Sequence, residues 1–321
     1  MRVLVTRSIP EIGVNILHRA GISTVLNTEN RPLPEVVREH PSIEGLLCLV
    51  GDTIDAAIID AAPNLKIISN FGVGVDHIDV AHATARGILV TNTPDVLTEA
   101  TADLTWALLL AVARRVVEGD RIVRKGRFGG WDPLFMLGAD IEGRTLGILG
   151  AGRIGTAVAE RSVGWKMPLR YFSRRRNAYL EERLGARRME LEQLLAEADF
   201  VSIHLPLSEE TRHLIGEAEL RRMKPTAYLI NTARGPIVHE AALVRALREG
   251  WIAGAGLDVF EQEPALSPGL AELHNVVLTP HIGSATVETR NKMAEVAAEN
   301  LVRFFSRQPV ISAVNPEVLR T

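Results

Sequence analysis

The residues of this chain that can do chemistry gather in four short motifs. Gly150-Ala-Gly-Arg-Ile-Gly155 has the spacing G-x-G-x-x-G, Asn231-Thr-Ala-Arg-Gly-Pro236 carries an arginine, Gly256-Leu-Asp-Val-Phe-Glu-Gln-Glu-Pro264 carries acids, and Leu278-Thr-Pro-His-Ile-Gly-Ser-Ala-Thr286 carries a histidine. A glycine motif alone is a weak signal. This one follows a strand pattern, Thr145-Leu-Gly-Ile-Leu149, and opens a helix from Ile154 to about Val163, the context in which it becomes a strong one. Gly150 then permits a tight turn, Gly152 lets backbone amides approach a pyrophosphate, and Gly155 lets helix and strand pack closely, while the helix amino terminus favours the anion. The other three motifs fall at the ends of predicted strands, where open α/β sheets place their ligands. Singly, Arg234 reads as a helix-start charge, Glu263 as a loop acid and His281 as a satisfied loop histidine. Beside a dinucleotide loop, the three read as one site.

The strand predicted after the glycine loop, Leu169-Arg-Tyr-Phe-Ser173, ends where an acid about 20 residues into the motif binds the ribose hydroxyls of NAD. No acid stands there. Ser173 takes the place, followed by Arg174, Arg175 and Arg176. No carboxylate repels a 2′-phosphate, and guanidinium groups can pair with one. NADP, as NADPH, is therefore expected in preference to NAD. Arginines that merely solvate a strand end are the alternative, which leaves NAD open.

With these motifs the chain closely resembles the D-isomer-specific 2-hydroxyacid dehydrogenases. The likeness runs over essentially the whole sequence, including Asn70-Phe-Gly-Val-Gly-Val-Asp76, Glu99-Ala-Thr-Ala-Asp103 and Val314-Asn-Pro-Glu317. It implies that Arg234 binds the substrate's carboxylate and carbonyl oxygen, that His281 exchanges a proton with that oxygen, and that Glu263 bonds the other ring nitrogen. It implies further that Asp258 contacts the nicotinamide carboxamide and that the loop Gly72-Val-Gly-Val75, through Val73 and Gly74, grips the substrate carboxylate. Thr101, Arg153, Ile154, Pro206, Thr211, Thr232 and Gly283 match lesser cofactor-contact positions on resemblance alone.

Departures within the family narrow the expectation. Glu263 argues against formate dehydrogenases, where no proton relay is needed, and the chain leaves no room for the appended regulatory domain of some phosphoglycerate dehydrogenases. Gly130-Trp-Asp-Pro-Leu-Phe-Met-Leu-Gly138 is similar to a segment of glyoxylate and hydroxypyruvate reductases whose tryptophan closes the neighbouring subunit's substrate pocket. Trp131 is the candidate, and a homodimer is implied, with the helix Ala100–Val117 and its residues Leu104, Ala107, Leu108 and Ala111 as the contact. Burial of that stripe within one chain is the alternative. An NAD-dependent 2-hydroxyacid or phosphoglycerate-type dehydrogenase stays open, as does a nicotinamide-sensing binding protein of the corepressor kind.

Such a site needs strand ends to carry it, and the chain supplies them. Short β-branched runs alternate with helical patterns, the arrangement that builds parallel sheets. Val3–Thr6, Thr24–Leu26, Leu46–Val50, Lys66–Ser69 and Ile88–Thr91 form one series. Thr98 opens a long helix to about Arg124. A second series follows at Thr145–Leu149, Leu169–Phe172, Phe200–Leu205, Tyr228–Thr232, Gly254–Val259 and Val276–Thr279, and a helix from about Ala285 to Phe305 crosses back. Two doubly wound α/β domains are expected: a discontinuous flavodoxin-like substrate domain, 1–98 with 286–321, and a Rossmann dinucleotide domain, 99–285, with a cleft between them.

Composition excludes other classes. The chain has 321 residues and a formal charge of −3 with acids and bases intermixed, so neither nucleic acid nor a membrane surface is an expected partner. The one cysteine, Cys48, sits in an apolar run and reads as a small buried hydrophobe, leaving no disulfide and no multi-cysteine metal site; no metal is expected. Met1-Arg-Val-Leu-Val-Thr-Arg7 lacks the apolar stretch of a secretory signal, and no apolar run spans a bilayer. A cytoplasmic protein is expected.

Overall fold

Apolar runs of four or five residues between amphipathic stretches fold as parallel strands buried on both faces, because each crossover helix covers the sheet it leaves. The computed structural model describes residues 1–320 and contains two such sheets, in two compact units. The first unit is Met1–Leu97 with the chain from Ala285, the second Thr98–Ser284.

In the first unit the elements run β1 (Arg2–Val5), α1 (Glu11–Arg19), β2 (Ser23–Leu26), α2 (Leu33–Glu39), β3 (Gly45–Leu49), α3 (Ala56–Asp60), β4 (Ile67–Phe71), α4 (Val80–Ala85) and β5 (Leu89–Thr91). The strand order is β2-β1-β3-β4-β5, all parallel, the flavodoxin-like arrangement. One face is closed by α1 and the carboxyl-terminal helix, whose Met293, Ala297 and Leu301 pack on Val3, Val5 and Ile67. Cys48 is fully buried, and burial pushes its thiol pKa far up, so it acts as packing and not as a nucleophile.

The second unit opens with α5 (Thr98–Ala113) and α6 (Val116–Arg124), then runs β6 (Leu146–Leu149), α7 (Arg153–Arg161), β7 (Leu169–Phe172), α8 (Ala178–Leu184), β8 (Arg187–Arg188), α9 (Leu191–Glu197), β9 (Phe200–Ile203), α10 (Glu217–Arg222), β10 (Tyr228–Asn231), α11 (Glu240–Glu249), β11 (Gly254–Leu257) and β12 (Val276–Leu278). The last helix, α12 (Val287–Phe305), belongs to the first unit. Strand order is β12-β11-β10-β9-β6-β7-β8, again parallel throughout, so the direction of winding reverses beside β6.

Three expectations change. The long helix from Thr98 to Arg124 is two helices: Arg115 sits at φ 54, and its guanidinium closes on Glu118 at 2.8 and 2.9 Å, restarting the chain as α6. No glycine or proline marks that break. The stripe proposed for a partner loses Leu108, which is buried against β11 and in contact range of Gly256; Leu104, Ala107 and Ala111 keep exposed surface. The edge strand β8 is unannounced, since its two residues are both arginine and both exposed.

Candidate active site

The dinucleotide loop leaves β6 at the point where the sheet reverses. Gly150 has φ +99, and a Cβ there would stand 2.5 Å from the His204 carbonyl oxygen. A Cβ on Gly155 would meet the Gly150 carbonyl oxygen at 2.1 Å, so α7 can approach β6 only through glycine. At Gly152, by contrast, an added Cβ would meet nothing within 4 Å. That open space lies at the amino terminus of α7, where Arg153 and Ile154 begin the helix, and it is the space a pyrophosphate needs. The residues present therefore fit a dinucleotide.

Beyond β10, β11 and β12 the sheet's hydrogen bonding continues into the loops and sets three motifs side by side. Asp258 N donates to Asn231 O at 2.9 Å, and His281 N donates to Asp258 O at 2.9 Å. Asn231, buried, folds its own loop by donating from Nδ2 to Arg234 O and accepting from Ala233 N, both at 3.0 Å. The next residue, Gly235, is pressed so closely on Phe260 that a Cβ would fall 1.8 Å from its carbonyl oxygen. The arginine loop and the acid loop thus interlock. Glu240 and Glu261 fasten them again by exchanging bonds: Glu261 N to Glu240 Oε2 at 2.9 Å and Glu240 N to Glu261 Oε2 at 2.8 Å, with Ser267 N on Glu240 Oε1 at 2.6 Å.

The reactive groups sit on this frame. His281 Nδ1 and Glu263 Oε2 are 2.8 Å apart, and Glu263 Oε1 accepts from Phe260 N at 3.0 Å, so the carboxylate is fixed at both oxygens. Burial pushes the Glu263 carboxyl up, but the His281 hydrogen bond and charge, the Phe260 amide and the Arg234 charge together hold it below the usual range. Arg234 is partly buried, with Nη1 donating to Ala233 O at 2.8 Å. His281 adopts φ 55, a rare conformation for a residue with a side chain, and Asp258 holds it there. The Asp258 carboxylate accepts from Thr279 Oγ1 at 2.6 Å, from Ile282 N at 2.8 Å and from Gly283 N at 2.8 Å. Burial raises its pKa, and the donated bonds oppose that. Sequence reasoning had not seen this anchoring role.

Several lesser residues meet here too. Gly283 lies within contact of Thr101 and Asp258, and Thr232 is tied to α5 through its hydroxyl, which donates to Thr105 Oγ1 at 2.8 Å while Thr105 Oγ1 donates to Thr101 O at 2.8 Å. Pro206 and Thr211 belong to a separate turn, joined by a 2.7 Å bond from Thr211 Oγ1 to Pro206 O. At the end of β7, Arg174 and Arg175 are exposed beside Ser173, whereas Arg176 is taken by Glu181 at 2.5 Å.

In the first unit, Val73 and Gly74 follow β4. Asn70 Nδ2 donates to Gly72 O at 3.1 Å and Gly74 O at 2.8 Å, and Asn92 Nδ2 donates to Val73 O at 2.8 Å. With three carbonyls turned onto asparagines, the amide groups of Val73 and Gly74 have no acceptor among the described residues. That suits an anion, and the two asparagines are the signal the sequence reading missed.

A parallel doubly wound unit with a glycine dinucleotide loop and an arginine, glutamate and histidine at neighbouring strand ends defines a nicotinamide-dependent dehydrogenase. Comparison with known proteins agrees. The family described as "D-isomer specific 2-hydroxyacid dehydrogenase, NAD binding domain" matches residues 106–283. A glyoxylate reductase of Thermococcus litoralis is 51% identical over 326 residues, covering 99% of this chain and 98% of its own, and one of Korarchaeum cryptofilum is 52% identical, covering 99% and 97%. Among solved structures, the TT0316 protein of Thermus thermophilus superposes with a TM-score of 0.92 at 47% identity, covering 98% of this chain and all (100%) of its own. An NADPH-dependent glyoxylate/hydroxypyruvate reductase of Sinorhizobium meliloti, solved with NADP and malonate, gives 0.89 at 37%, covering 98% and 96%. The chain belongs to the D-isomer specific 2-hydroxyacid dehydrogenases.

Proposed function

We propose that this enzyme reduces glyoxylate and hydroxypyruvate to the corresponding 2-hydroxy acids, of D configuration where C2 becomes a stereocentre, with NADPH as hydride donor. The observation that supports it most is the fixed pair of Glu263 and His281, 2.8 Å apart, on a frame shared with Arg234. Arg234 takes the substrate's carboxylate and carbonyl oxygen in its planar fork, which orients C2 and polarises the carbonyl. Val73 and Gly74 offer backbone amides to the same carboxylate. His281 donates the proton from Nε2 to the carbonyl oxygen, while Glu263 on Nδ1 fixes the tautomer and stabilises the imidazolium. When bound, the reduced nicotinamide supplies the hydride. Gly152 leaves room for its pyrophosphate, Gly150 and Gly155 let the loop and α7 close up around that space, and Thr101, Arg153, Ile154, Pro206, Thr211, Thr232, Asp258 and Gly283 would hold the rest of the cofactor.

For NADPH the support is the absence of an acid after β7, with Ser173, Arg174 and Arg175 in its place. For the substrate it is the relatives near half identity, which carry the name glyoxylate reductase. For a homodimer it is the segment carrying Trp131, 87% exposed, and Leu134, 78% exposed, a density of open apolar surface that a monomer seldom keeps. Trp131 then closes the neighbouring subunit's pocket. No helix among the described residues is long and apolar enough to cross a membrane, in keeping with a cytoplasmic site of action. Kinetics with glyoxylate, hydroxypyruvate, pyruvate and an aromatic 2-keto acid, each with NADPH and NADH, tests the whole proposal. A preference for NADH overturns the cofactor, and cofactor binding without turnover of any acid overturns the reaction.

A further inference from the structure

The edge strand β8 gives the cofactor end of the second unit a cation that no sequence pattern announced. It pairs with β7 in parallel, Arg170 against Arg187 and Tyr171 against Arg188. Neighbouring side chains on a strand point to opposite faces. Arg187 therefore shares the face of Arg170, whose Nε is taken by Glu197 at 3.0 Å, and Arg188 shares the face of Tyr171.

Arg188 makes no ion pair among the described residues. Its Nε donates to Ser173 O and its Nη2 to Arg174 O, both at 3.1 Å. Neutral carbonyls orient a guanidinium without cancelling its charge, and the fork keeps further N–H donors to spare. The other arginines nearby differ. Arg176 is spent on Glu181 and Glu182, Arg174 leans on Glu210 at 3.9 Å with both side chains exposed, and Arg175, exposed, makes no ion pair among the described residues. The loop they stand on is stapled at both ends, by Arg188 at Ser173 and Arg174 and by Asn177, whose Nδ2 donates to Ala151 O and Thr156 Oγ1 at 3.0 Å. The Arg188 guanidinium, which Glu181 feels but which makes no salt bridge among the described residues, is thus attached, through the backbone, to the dinucleotide loop.

We propose that Arg188 is a specificity-determining residue for the phosphorylated dinucleotide: it binds the ribose 2′-phosphate beside Ser173 and Arg175 while it holds their loop. This rests on the NADPH reading above. The test is calorimetric binding of adenosine 2′,5′-bisphosphate and of adenosine 5′-monophosphate to the wild type, Arg188→Ala and Arg188→Lys, with kcat and KM for NADPH and NADH alongside. Arg188→Ala is expected to weaken the bisphosphate and raise the NADPH KM by about tenfold, as for one exposed charge-assisted contact, with the monophosphate, the NADH KM and kcat unchanged. Arg188→Lys, a charge without the fork, is expected to fall between. Equal losses with both nucleotides would show a loop staple and nothing more, and an unchanged bisphosphate affinity would also overturn the proposal. The wild type decides the NADPH reading separately: if it binds the monophosphate as well as the bisphosphate and uses NADH as well as NADPH, that reading fails whatever the variants do.

Discussion

Replacing Glu263 with glutamine keeps the shape of the acid loop and removes the charge that supports His281. The amide oxygen can still accept from Phe260 N, now at 3.0 Å from the carboxylate, so the fold should survive. What is lost is one charge-assisted hydrogen bond, worth about 1.5–3 kcal/mol. The His281 and Glu263 side chains are 35% and 36% exposed, so solvent screens the pair and the lower end, about 1.5 kcal/mol, applies. Reduction needs the imidazolium, and the carboxylate favours it. Without the carboxylate, the high-pH limb of kcat for glyoxylate reduction should move toward acid by about one unit, at about 1.4 kcal/mol per unit, with about a fivefold loss at its former midpoint. Oxidation of the hydroxy acid needs the neutral ring and should gain at low pH. In the wild type, Glu263 is held below the usual carboxylate range, so its support persists above that depressed pKa and is lost only as the pH falls through it. Stopped-flow or steady-state rates across the pH range give the limbs directly. An unshifted high-pH limb with kcat within about twofold of wild type would refute the relay.

His281→Ala and Arg234→Lys should each lower kcat/KM by at least about a hundredfold without altering the circular dichroism spectrum, Arg234→Lys because a point charge cannot reproduce the fork. Asp258→Asn places an amide N–H₂ against one of the donors Ile282 N and Gly283 N, which bond different oxygens, and should cost about 1–3 kcal/mol in thermal unfolding as well as activity; activity lost alone would mean that Asp258 does not anchor the His281 loop. Gly155→Ala drives a methyl into the Gly150 carbonyl oxygen, so dinucleotide binding measured by fluorescence should be lost before glyoxylate chemistry can be assayed. Trp131→Ala should raise the glyoxylate KM and leave NADPH binding alone, and sedimentation of the wild type as a monomer would remove the basis for any role across subunits.

The parallel strands were legible because each is a short apolar run between polar crossovers, and β6, the glycine loop and α7 were legible as one unit because strand, turn and helix signals coincide there. Arg234, Glu263 and His281 could be named from motif and resemblance. Their supports could not. Glu240, Glu261 and Asn231 act through backbone amides, and a carboxylate that caps an amide looks in sequence like any surface acid. Asn70 turns two carbonyls of the Val73 loop from within the same turn, and Asn92 turns a third from 19 residues away, a pairing only the sheet creates. The break at Arg115 was hidden because arginine is a good helix former, and β8 because two exposed arginines carry no strand signal.

The contact of Gly235 with Phe260, closed again by Glu240 and Glu261, bears on how this chemistry can be moved. An arginine and an acid–histidine pair grafted one by one onto another scaffold would arrive without the backbone fit that aims them. The transferable part is larger: β10, β11 and β12 with the three loops that follow, cut out as a single piece. Within that piece Gly235 cannot vary alone, since a side chain there is blocked by main chain that no rotamer can clear. A library meant to shift specificity should therefore leave Gly235 and the Phe260 main chain packed on it untouched.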